Sequence, residues 1–496
     1  MTDLKVLLSV LLSEHLDTET PVENFMESHT TLLSKLAYGI ATGRYTTDQE
    51  ALADLYGQVK DLHALRILKS KLKKKALASL LLTDIVSVQA NQREATRHQL
   101  SKSLTQANLL LQFGARALAV KILKRVVTIA DRYELNDVLF DALGLLKMHY
   151  WYIGDHKSFS KYRERIDGLL HLLALEQFAE SSYQEFSIPF VRSKSPRKIT
   201  SVKIESAISS LQAVAPKNRS FIIIINTFRL ALLLKQVEGD QVGIIRECSA
   251  ALTYLKQHPR LSSDSLLAFF LLTQCEAFAQ TGQHKNILDA LPKLQSLIKP
   301  RNPNRLLVER LAAISYLHLG EYTAAETTIT AATQLPYYQV ALPHQKEDFI
   351  IYQAYLDVAR HLSGNQAVNQ LSTLSDIRKK TLTSSKDKLG NNIHLIILKT
   401  LSYVIAKNYN KLAQIDKILD NYLYRYLHKE KKYAKAATFF TMLRIVIRED
   451  LNKETIDKKT AQYYTKLLKY SKDRAFEYNE VIFYEVLWDM LLKKLQ

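Results

Sequence analysis

The chain is poor in residues that interrupt helices. Its 496 residues include only 13 glycines and 10 prolines, well below the roughly 7% and 5% of average proteins. This scarcity disfavours folds that need many tight hairpins or glycine-rich phosphate loops, and it predicts helix along nearly the whole chain. Hydrophobic residues make up 47% of the sequence, which is ample for a continuous core.

Cysteine is nearly absent. Cys248 and Cys275 are the only two, whereas a disulfide framework needs more cysteines and shorter loops. Both lie within apolar stretches of helical character. We therefore expect two buried free thiols in a reducing cytoplasm.

Long apolar runs are missing as well. The most apolar stretch, Phe221 to Leu234, contains Asn226 and Arg229 and falls short of the ~20 residues of a membrane span. The N-terminal stretch is apolar but carries Asp3 and lacks the basic start and small-residue cleavage site of a signal peptide. The sequence therefore predicts a cytoplasmic chain without a membrane span.

The sequence lacks the common motifs of catalysis and cofactor binding. It contains no G-x-x-x-x-G-K-S/T, no G-x-G-x-x-G, no H-E-x-x-H and no cysteine pair at metal-binding spacing. We therefore expect no enzyme activity, no cofactor and no metal site. A catalytic triad that is assembled only in space would leave no such motif and stays open.

Acidic residues are outnumbered by basic ones. The chain has 68 lysines and arginines against 49 acids, a net charge of +19. Such a charge favours anionic partners, such as nucleic acid, acidic protein segments or a membrane surface. A basic soluble surface without a dedicated anionic partner is the simpler interpretation.

Many of these charges lie in a small helical module that we assign to residues 1–90. Thr47 and Glu50 form a capping box that opens a short helix, and a basic helix follows it. The basic helix carries the lysines Lys69, Lys71, Lys73, Lys74 and Lys75. The arrangement is similar to a helix-turn-helix, in which the second helix enters the major groove and lysines contact phosphates. The simpler interpretation is the solvated face of a structural helix.

Residues 304–336, NRLLVERLAAISYLHLGEYTAAETTITAATQLP, contain two helical segments that meet at a glycine. An aromatic residue precedes this glycine by four positions and another follows by two, with alanines and a proline further on. The residues concerned are Tyr316, Gly320, Tyr322, Ala325, Ala332 and Pro336. With this pattern the chain resembles a tetratricopeptide-repeat solenoid. The glycine would end the first helix, the alanines would let the helices approach closely, and the proline would end the second helix.

Other glycines recur at similar spacing and predict further helix pairs. The expected inter-helix glycines are Gly114, Gly154, Gly239, Gly282 and Gly320. Three intervals are near 40 residues and one is about twice as long, so we expect an additional repeat near Lys198. The period exceeds the ~34 residues of an ordinary tetratricopeptide unit. The sequence therefore predicts long, irregular helix pairs.

The predicted fold is an all-α, irregular tetratricopeptide-like α-solenoid of antiparallel helix pairs that follows the small N-terminal module. We place its segments at 97–186, 204–380 and 393–496, separated by breaks at Ser187–Lys203 and Thr383–Asn392. The final segment ends in an aromatic helix, which we interpret as a cap that closes the core. The alternative for this helix is a surface that docks a partner.

The resemblance implies a function in macromolecular recognition. Our first hypothesis is a non-enzymatic scaffold or adaptor that binds a protein or peptide on the concave face of the solenoid. The alternative is a nucleic-acid-associated regulator that uses the basic module, and an enzyme ranks third. The family's grip on a C-terminal carboxylate needs Lys, Asn and Arg on the first helix of a pair. This sequence offers Arg310 but places Ile314 where the asparagine belongs, which argues against that mode.

Overall fold

The fold of the described chain is almost entirely helical. The computed structural model describes residues 1–11, 16–17, 31–57, 62–82, 84–85, 92–192, 201–214, 220–364, 391–429, 433–471 and 480–495. Within these ranges it contains 22 α-helices, one short 3-10 helix and one pair of two-residue strands. The predicted all-α fold class is confirmed.

The first ten helices follow one another through the N-terminal half of the chain. They are α1 (Thr2–Leu11), α2 (Leu32–Ala41), α3 (Asp48–Tyr56), α4 (Leu62–Leu82), α5 (Gln92–Gln112), α6 (Arg116–Arg132), α7 (Asn136–Tyr152), α8 (His156–Arg192), α9 (Ser201–Val214) and α10 (Phe221–Glu238). The strand β1 (Leu16–Asp17) pairs antiparallel with β2 (Asp84–Ile85).

Twelve further helices complete the described chain. They are α11 (Gln241–Gln257), α12 (Asp264–Gln280), α13 (His284–Leu297), α14 (Pro303–Leu319), α15 (Tyr322–Gln334), α16 (Pro336–Val340), α17 (Pro343–Leu362), α18 (Asn391–Ile405), α19 (Tyr409–Arg425), α20 (Ala434–Arg448), α21 (Lys453–Ser471) and α22 (Tyr484–Lys494). The 3-10 helix spans Leu427–Lys429.

The chain forms two compact units. Unit 1 comprises Met1–Leu234 and Thr253–Leu267, and unit 2 comprises Lys235–Leu252 and Ala268–Gln496. The finer segment boundaries that the sequence indicates stay predictions.

Capping residues begin the helices of the N-terminal module. The Thr47 hydroxyl accepts the backbone N–H of Glu50 at 3.3 Å, and the Glu50 carboxylate accepts the Thr47 N–H at 3.0 Å. The predicted capping box is thus confirmed. Hydrogen bonds from the backbone of Thr46 and Thr47 lower the pKa of Glu50. The module buries one shared apolar core that includes Leu4, Leu8, Leu36, Leu65 and Leu72.

The predicted inter-helix glycines all end helices in the same way. At Gly114, Gly154, Gly239, Gly282 and Gly320 the φ angle lies between 66° and 83°. Each glycine N–H bonds the carbonyl three residues back, and the next N–H bonds the carbonyl five residues before it. This pair of bonds is the Schellman motif, which satisfies the last carbonyls of a helix. The predicted helix ends are therefore confirmed.

Three more helices end in this turn without a glycine. Glu134, Lys407 and Asp450 have φ angles of 48° or 49°. Lys407 and Asp450 continue a spacing that begins at Gly320 and Gly364: positions 320, 364, 407 and 450 are 44, 43 and 43 residues apart. Left-handed backbone is uncommon for residues with a side chain. The spacing of glycines in the sequence therefore missed the helix ends at Lys407 and Asp450, which continue the regular spacing in the structure.

Buried polar bonds join four helices of unit 1. Arg93 of α5, only 6% exposed, donates to the carbonyl of Glu134 at 2.9 Å. The Glu134 carboxylate accepts the Phe221 N–H at 2.7 Å, at the start of α10. On α8, Glu176 accepts the Asn136 side-chain amide at 2.7 Å, and burial raises the pKa of Glu176. These bonds fix the helices around one another.

Eight of the described helices of unit 2 form an inner and an outer set. The inner helices α14, α17, α18 and α20 pack against one another in sequence, and the outer helices α13, α15, α19 and α21 cover them. No residue of α14 from Arg305 to Leu319 is exposed, and none of α18 is. Helices α14 and α18 are therefore covered by their neighbours along most of their length.

The two cysteines lie inside unit 2. Cys248 and Cys275 are free and buried, and burial raises the pKa of both thiols to about 12. Thiols with so high a pKa are inert at neutral pH. The expectation of buried free thiols is confirmed.

One predicted break is shorter than expected. Helix α8 continues through Pro189 to Arg192, and α9 already begins at Ser201. Pro189 sits in the last turn of α8, where its missing N–H removes a single hydrogen bond. The predicted repeat near Lys198 lies outside the described residues, as does the second break up to residue 390.

Candidate functional site

The five lysines predicted to contact an anion lie on α4, but they do not share one open face. Lys71, Lys74 and Lys75 are exposed. The Lys69 ammonium lies 2.9 Å from the Asp48 carboxylate and its side chain is 23% exposed, while Lys73 pairs with Asp3 at 3.4 Å. Lys73 is also exposed, with 52% of its side chain open to solvent, whereas Lys69 is half-buried. Both lysines flank the buried stripe and tie α4 to α3 and α1.

The turn between the predicted short helix and the basic helix lies at residues 58–61, outside the described residues. Helix α4 packs Leu65 and Leu72 against α1 and α2, and Lys74 falls on the opposite side of the helix at 100° per residue. A helix-turn-helix function therefore stays a prediction. The exposed Lys71, Lys74 and Lys75 are the side chains that would carry it.

The six residues of the predicted repeat signature end or begin helices or pack in the core. Gly320 caps α14 with a φ of 76°, and the Glu321 N–H bonds the Tyr316 carbonyl at 2.9 Å. Ala325 and Ala332 are fully buried where α15 meets its neighbours, and Tyr316 and Tyr322 are partly buried against the same core. Pro336 ends α15 and also opens α16. The helix pair at Gly320 has the geometry that the sequence indicates.

The arginine that could grip a carboxylate is engaged within unit 2. Arg310 lies 3.6 Å from the Asp348 carboxylate and hydrogen-bonds the buried Tyr352. Burial alone would lower the pKa of Arg310, but Tyr352 and the charges of Asp348 and Glu276 raise it. Burial raises the pKa of Glu276, and the charge of Arg310 lowers it. Arg310 of α14 therefore already has partners within unit 2, namely Asp348 and Tyr352.

A buried charged cluster lies between α20 and the last helix. The Lys435 ammonium is fully buried, 2.9 Å from Glu480 and 3.1 Å from Glu485. Burial raises the pKa of Glu480 to about 8, although Lys435 lowers it. The His318 ring donates to the Glu480 carbonyl at 2.8 Å and stacks on His284 at a centroid distance of 4.2 Å. Because Lys435 and Glu480 are inaccessible to solvent, the cluster acts as a structural tie.

His318 lies in the last turn of α14. A histidine at this position often interacts with the helix dipole, which requires a charged imidazole. Burial instead lowers the pKa of His318 to about 4, so the ring is neutral at physiological pH. The final aromatic helix fits the interpretation as a cap: Tyr484 is 2% exposed and Trp488 is 1% exposed, so these rings do not offer a docking surface.

Unit 1 carries a surface that the sequence did not reveal. Helices α5 and α7 are parallel neighbours, because Arg97 near the start of α5 bonds Asp137 near the start of α7. Their last turns therefore end on the same side, where large apolar side chains are exposed. We call this surface the aromatic patch; it comprises Phe113 (85% exposed), Leu118 (52%), Met148 (48%), Trp151 (67%), Tyr152 (65%) and Ile153 (54%).

A contact between α6 and α7 links two parts of the aromatic patch. The Arg116 guanidinium lies 3.4 Å from the centre of the Tyr152 ring, and Arg116 follows Phe113 by three residues. Tyr150 of α7 stacks on Tyr162 of α8 at 5.4 Å. Burial lowers the pKa of His149, and the charges of Arg116 and Lys124 lower it further. The patch is thus an apolar surface with basic side chains beside it.

A signal for this patch exists in the sequence. The run MHYWYIG from Met148 to Gly154 is almost entirely apolar. A helix at 3.6 residues per turn cannot bury four consecutive large residues on one face. Some of them must therefore face solvent, as Trp151 and Tyr152 do.

Comparisons with protein-family models, with curated proteins and with solved structures found no match to this chain. What the structure defines is a class: an all-α protein whose helices pack in consecutive pairs, as in a helical-repeat solenoid. Among the described residues no helix is long and apolar enough to cross a membrane. The same part of the chain shows no group of metal-ligating side chains that could hold an ion.

Proposed function

We propose that the chain is a non-enzymatic interaction scaffold that binds a protein partner through the aromatic patch. The proposal rests on the exposure of six large apolar side chains at the end of α5, the start of α6 and the end of α7. Contiguous exposed apolar side chains mark interaction sites, and Trp, Tyr and Phe are enriched there. The sequence predicted binding on the concave face of the solenoid; we propose the patch instead, because large apolar side chains are exposed there.

The test compares proteins captured from cell extract by a tagged chain. The patch variant is Phe113→Ser with Trp151→Ser, and the matched control is Tyr409→Ser with Tyr424→Ser, whose rings are 52% and 81% exposed. Exposed rings contribute little to stability, so both variants should melt like the native chain.

We expect at least one protein to bind the native chain and the control but not the patch variant, with nuclease present throughout. Purified, that protein should bind the patch variant at least about tenfold more weakly, as expected when central aromatic anchors are lost. Identical captures by the patch variant and the control would contradict the proposal.

A second candidate function rests on three of the exposed lysines of α4, namely Lys71, Lys74 and Lys75. In a nucleic-acid-associated regulator they would contact phosphates, and duplex DNA binding would weaken steeply between about 50 and 200 mM salt. The test substitutes Lys71, Lys74 and Lys75 with glutamate. The control substitutes three exposed lysines of α21, namely Lys458, Lys466 and Lys469.

We expect both lysine variants to lose DNA affinity equally, because a chain of charge +19 attracts any polyanion at low salt. Fluorescence anisotropy with a labelled duplex measures this loss. A loss confined to the α4 variant would instead support the regulator.

A further inference from the structure

The surroundings of the aromatic patch are basic and almost free of acids. From residue 95 to 130 the chain contains six basic residues and no acid, and residues 142–154 add Lys147 and again no acid. The six are Arg97, Lys102, Arg116, Lys121, Lys124 and Arg125. Arg97 pairs with Asp137 at the far end of α5, so the other five and Lys147 are the basic residues that these stretches offer to the patch.

Several of these charges border the patch. Arg116 covers one face of the Tyr152 ring, and Lys121 follows Leu118 by one helical turn on the same side of α6. Lys157 is exposed at the start of α8, four residues after Ile153. The acid that follows the exposed run, Asp155, is engaged, because its carboxylate accepts the N–H of Ser158 at 3.0 Å and caps α8.

We infer that the aromatic patch binds an acidic amphipathic helix of a partner protein. The inference rests on the proposed function and adds the chemistry of the partner. Apolar side chains at positions i, i+3, i+4 and i+7 of such a helix would contact Phe113, Trp151 and Ile153. Its carboxylates would face Arg116, Lys121 and Lys157, and complementary charge would accelerate and orient the encounter.

Single-stranded nucleic acid fits this surface less well. Bases stack on open aromatic faces, but one face of Tyr152 is already covered by Arg116. Leu118, Met148 and Ile153 are aliphatic side chains, which offer no ring for a base to stack on. An apolar helix face can use both kinds of side chain, so the protein ligand is favoured.

The two tryptophans make the inference measurable. Trp151 is 67% exposed and lies in the patch, whereas Trp488 is 1% exposed. Binding at the patch should shift the emission of Trp151 to the blue and protect it from acrylamide, while Trp488 stays constant. A Trp488→Phe variant isolates the signal.

The probes are three synthetic helix-forming peptides and one oligonucleotide. The first peptide is acidic with an apolar face, the second keeps that face but replaces each glutamate by lysine, and the third has the acidic composition in scrambled order. We expect the first peptide to protect Trp151 at least about tenfold more tightly than the second or third. Its affinity should fall with salt, because charge attraction is screened.

Charge reversal on the protein completes the test. Arg116→Glu with Lys121→Glu should weaken the acidic peptide about tenfold and strengthen the basic one, whereas Lys458→Glu with Lys469→Glu should change neither. Equal binding of the acidic and basic peptides, or tighter protection by a single-stranded oligonucleotide, would overturn the inference. The proposed function would survive equal peptide binding if the patch variant still lost its captured protein, so the two failures are distinguishable.

Discussion

At pH 9, where the Glu480 carboxyl is charged, replacing Lys435 with methionine should lower the free energy of unfolding of unit 2 by about 3–5 kcal/mol, the usual cost of removing one partner of a buried ion pair. The structure supports the full range, because the side chains of Lys435 and Glu480 are both 0% exposed and lie 2.9 Å apart. Methionine preserves the volume, so the change isolates the lost charge. Glu480 and Glu485 would then share an apolar site without a cation.

The destabilisation should depend on pH. Burial raises the pKa of Glu480 to about 8, so its carboxyl is charged at pH 9 and protonated at pH 6. A neutral carboxyl tolerates the loss of Lys435 better than a charged one. We therefore expect a larger cost at pH 9 than at pH 6. The double variant Lys435→Met with Glu480→Gln should recover most of the stability, since removing both charges is often close to neutral.

Urea unfolding, followed by the emission of Trp488 in a Trp151→Phe background, measures these free energies. In a unit of this size each kcal/mol lowers the Tm by about 2–4 °C. The control is Lys459→Met, whose ion pair with Glu449 spans 2.6 Å but leaves the lysine 58% exposed. Exposed pairs contribute at most about 1 kcal/mol. If Lys435→Met costs no more than this control at pH 9, the pair is not buried as described and our reasoning is refuted.

Three further predictions follow from buried or strained residues. Ala325→Leu or Ala332→Leu should cost about 1–3 kcal/mol by overpacking the helix pair at Gly320; an unchanged Tm in both would contradict that pairing. Burial lowers the pKa of His394 to about 4. Below pH 6.5 the His394 ring is protonated in the unfolded chain but stays neutral in the folded one, so stability is lost as pH falls from 6.5 towards 4. His394→Phe should reduce the decrease of Tm over that pH range. Lys407→Gly should stabilise unit 2 by about 0.5–1 kcal/mol, because glycine relieves the left-handed backbone at a φ of 49°; a lower urea midpoint would argue against strain there.

Local features of the fold were predictable from sequence because their causes are local. A capping box needs only Thr47 and Glu50, and a Schellman turn needs only one residue in left-handed backbone. The same turn at Lys407 and Asp450 was missed because their side chains give no sign of it. There the stacking of neighbouring helices imposes the conformation, and the residues accommodate it.

The candidate sites show the limit of sequence reasoning more clearly. Whether Lys69 faces solvent depends on Asp48, which lies 21 positions away, and no helical pattern reveals this contact. The tie between Lys435 and Glu480 spans 45 positions. The aromatic patch combines the ends of helices that adjoin only after folding, so the exposed run at Trp151 was readable from sequence but the place of Phe113 in the patch was not.

The long-range tie in unit 2 sets an order of assembly during synthesis. Most helices contact the helix just before or after them, so each can dock as soon as it leaves the ribosome. The Glu480 carbonyl, by contrast, bonds a histidine 162 residues earlier. Until that segment emerges, Lys435 has no buried carboxylate and the rings around His318 stay uncovered. A nascent or truncated chain would thus expose Lys435 and the apolar surface around His318, which chaperones and proteases would recognise. Docking of the last helix would cover this surface.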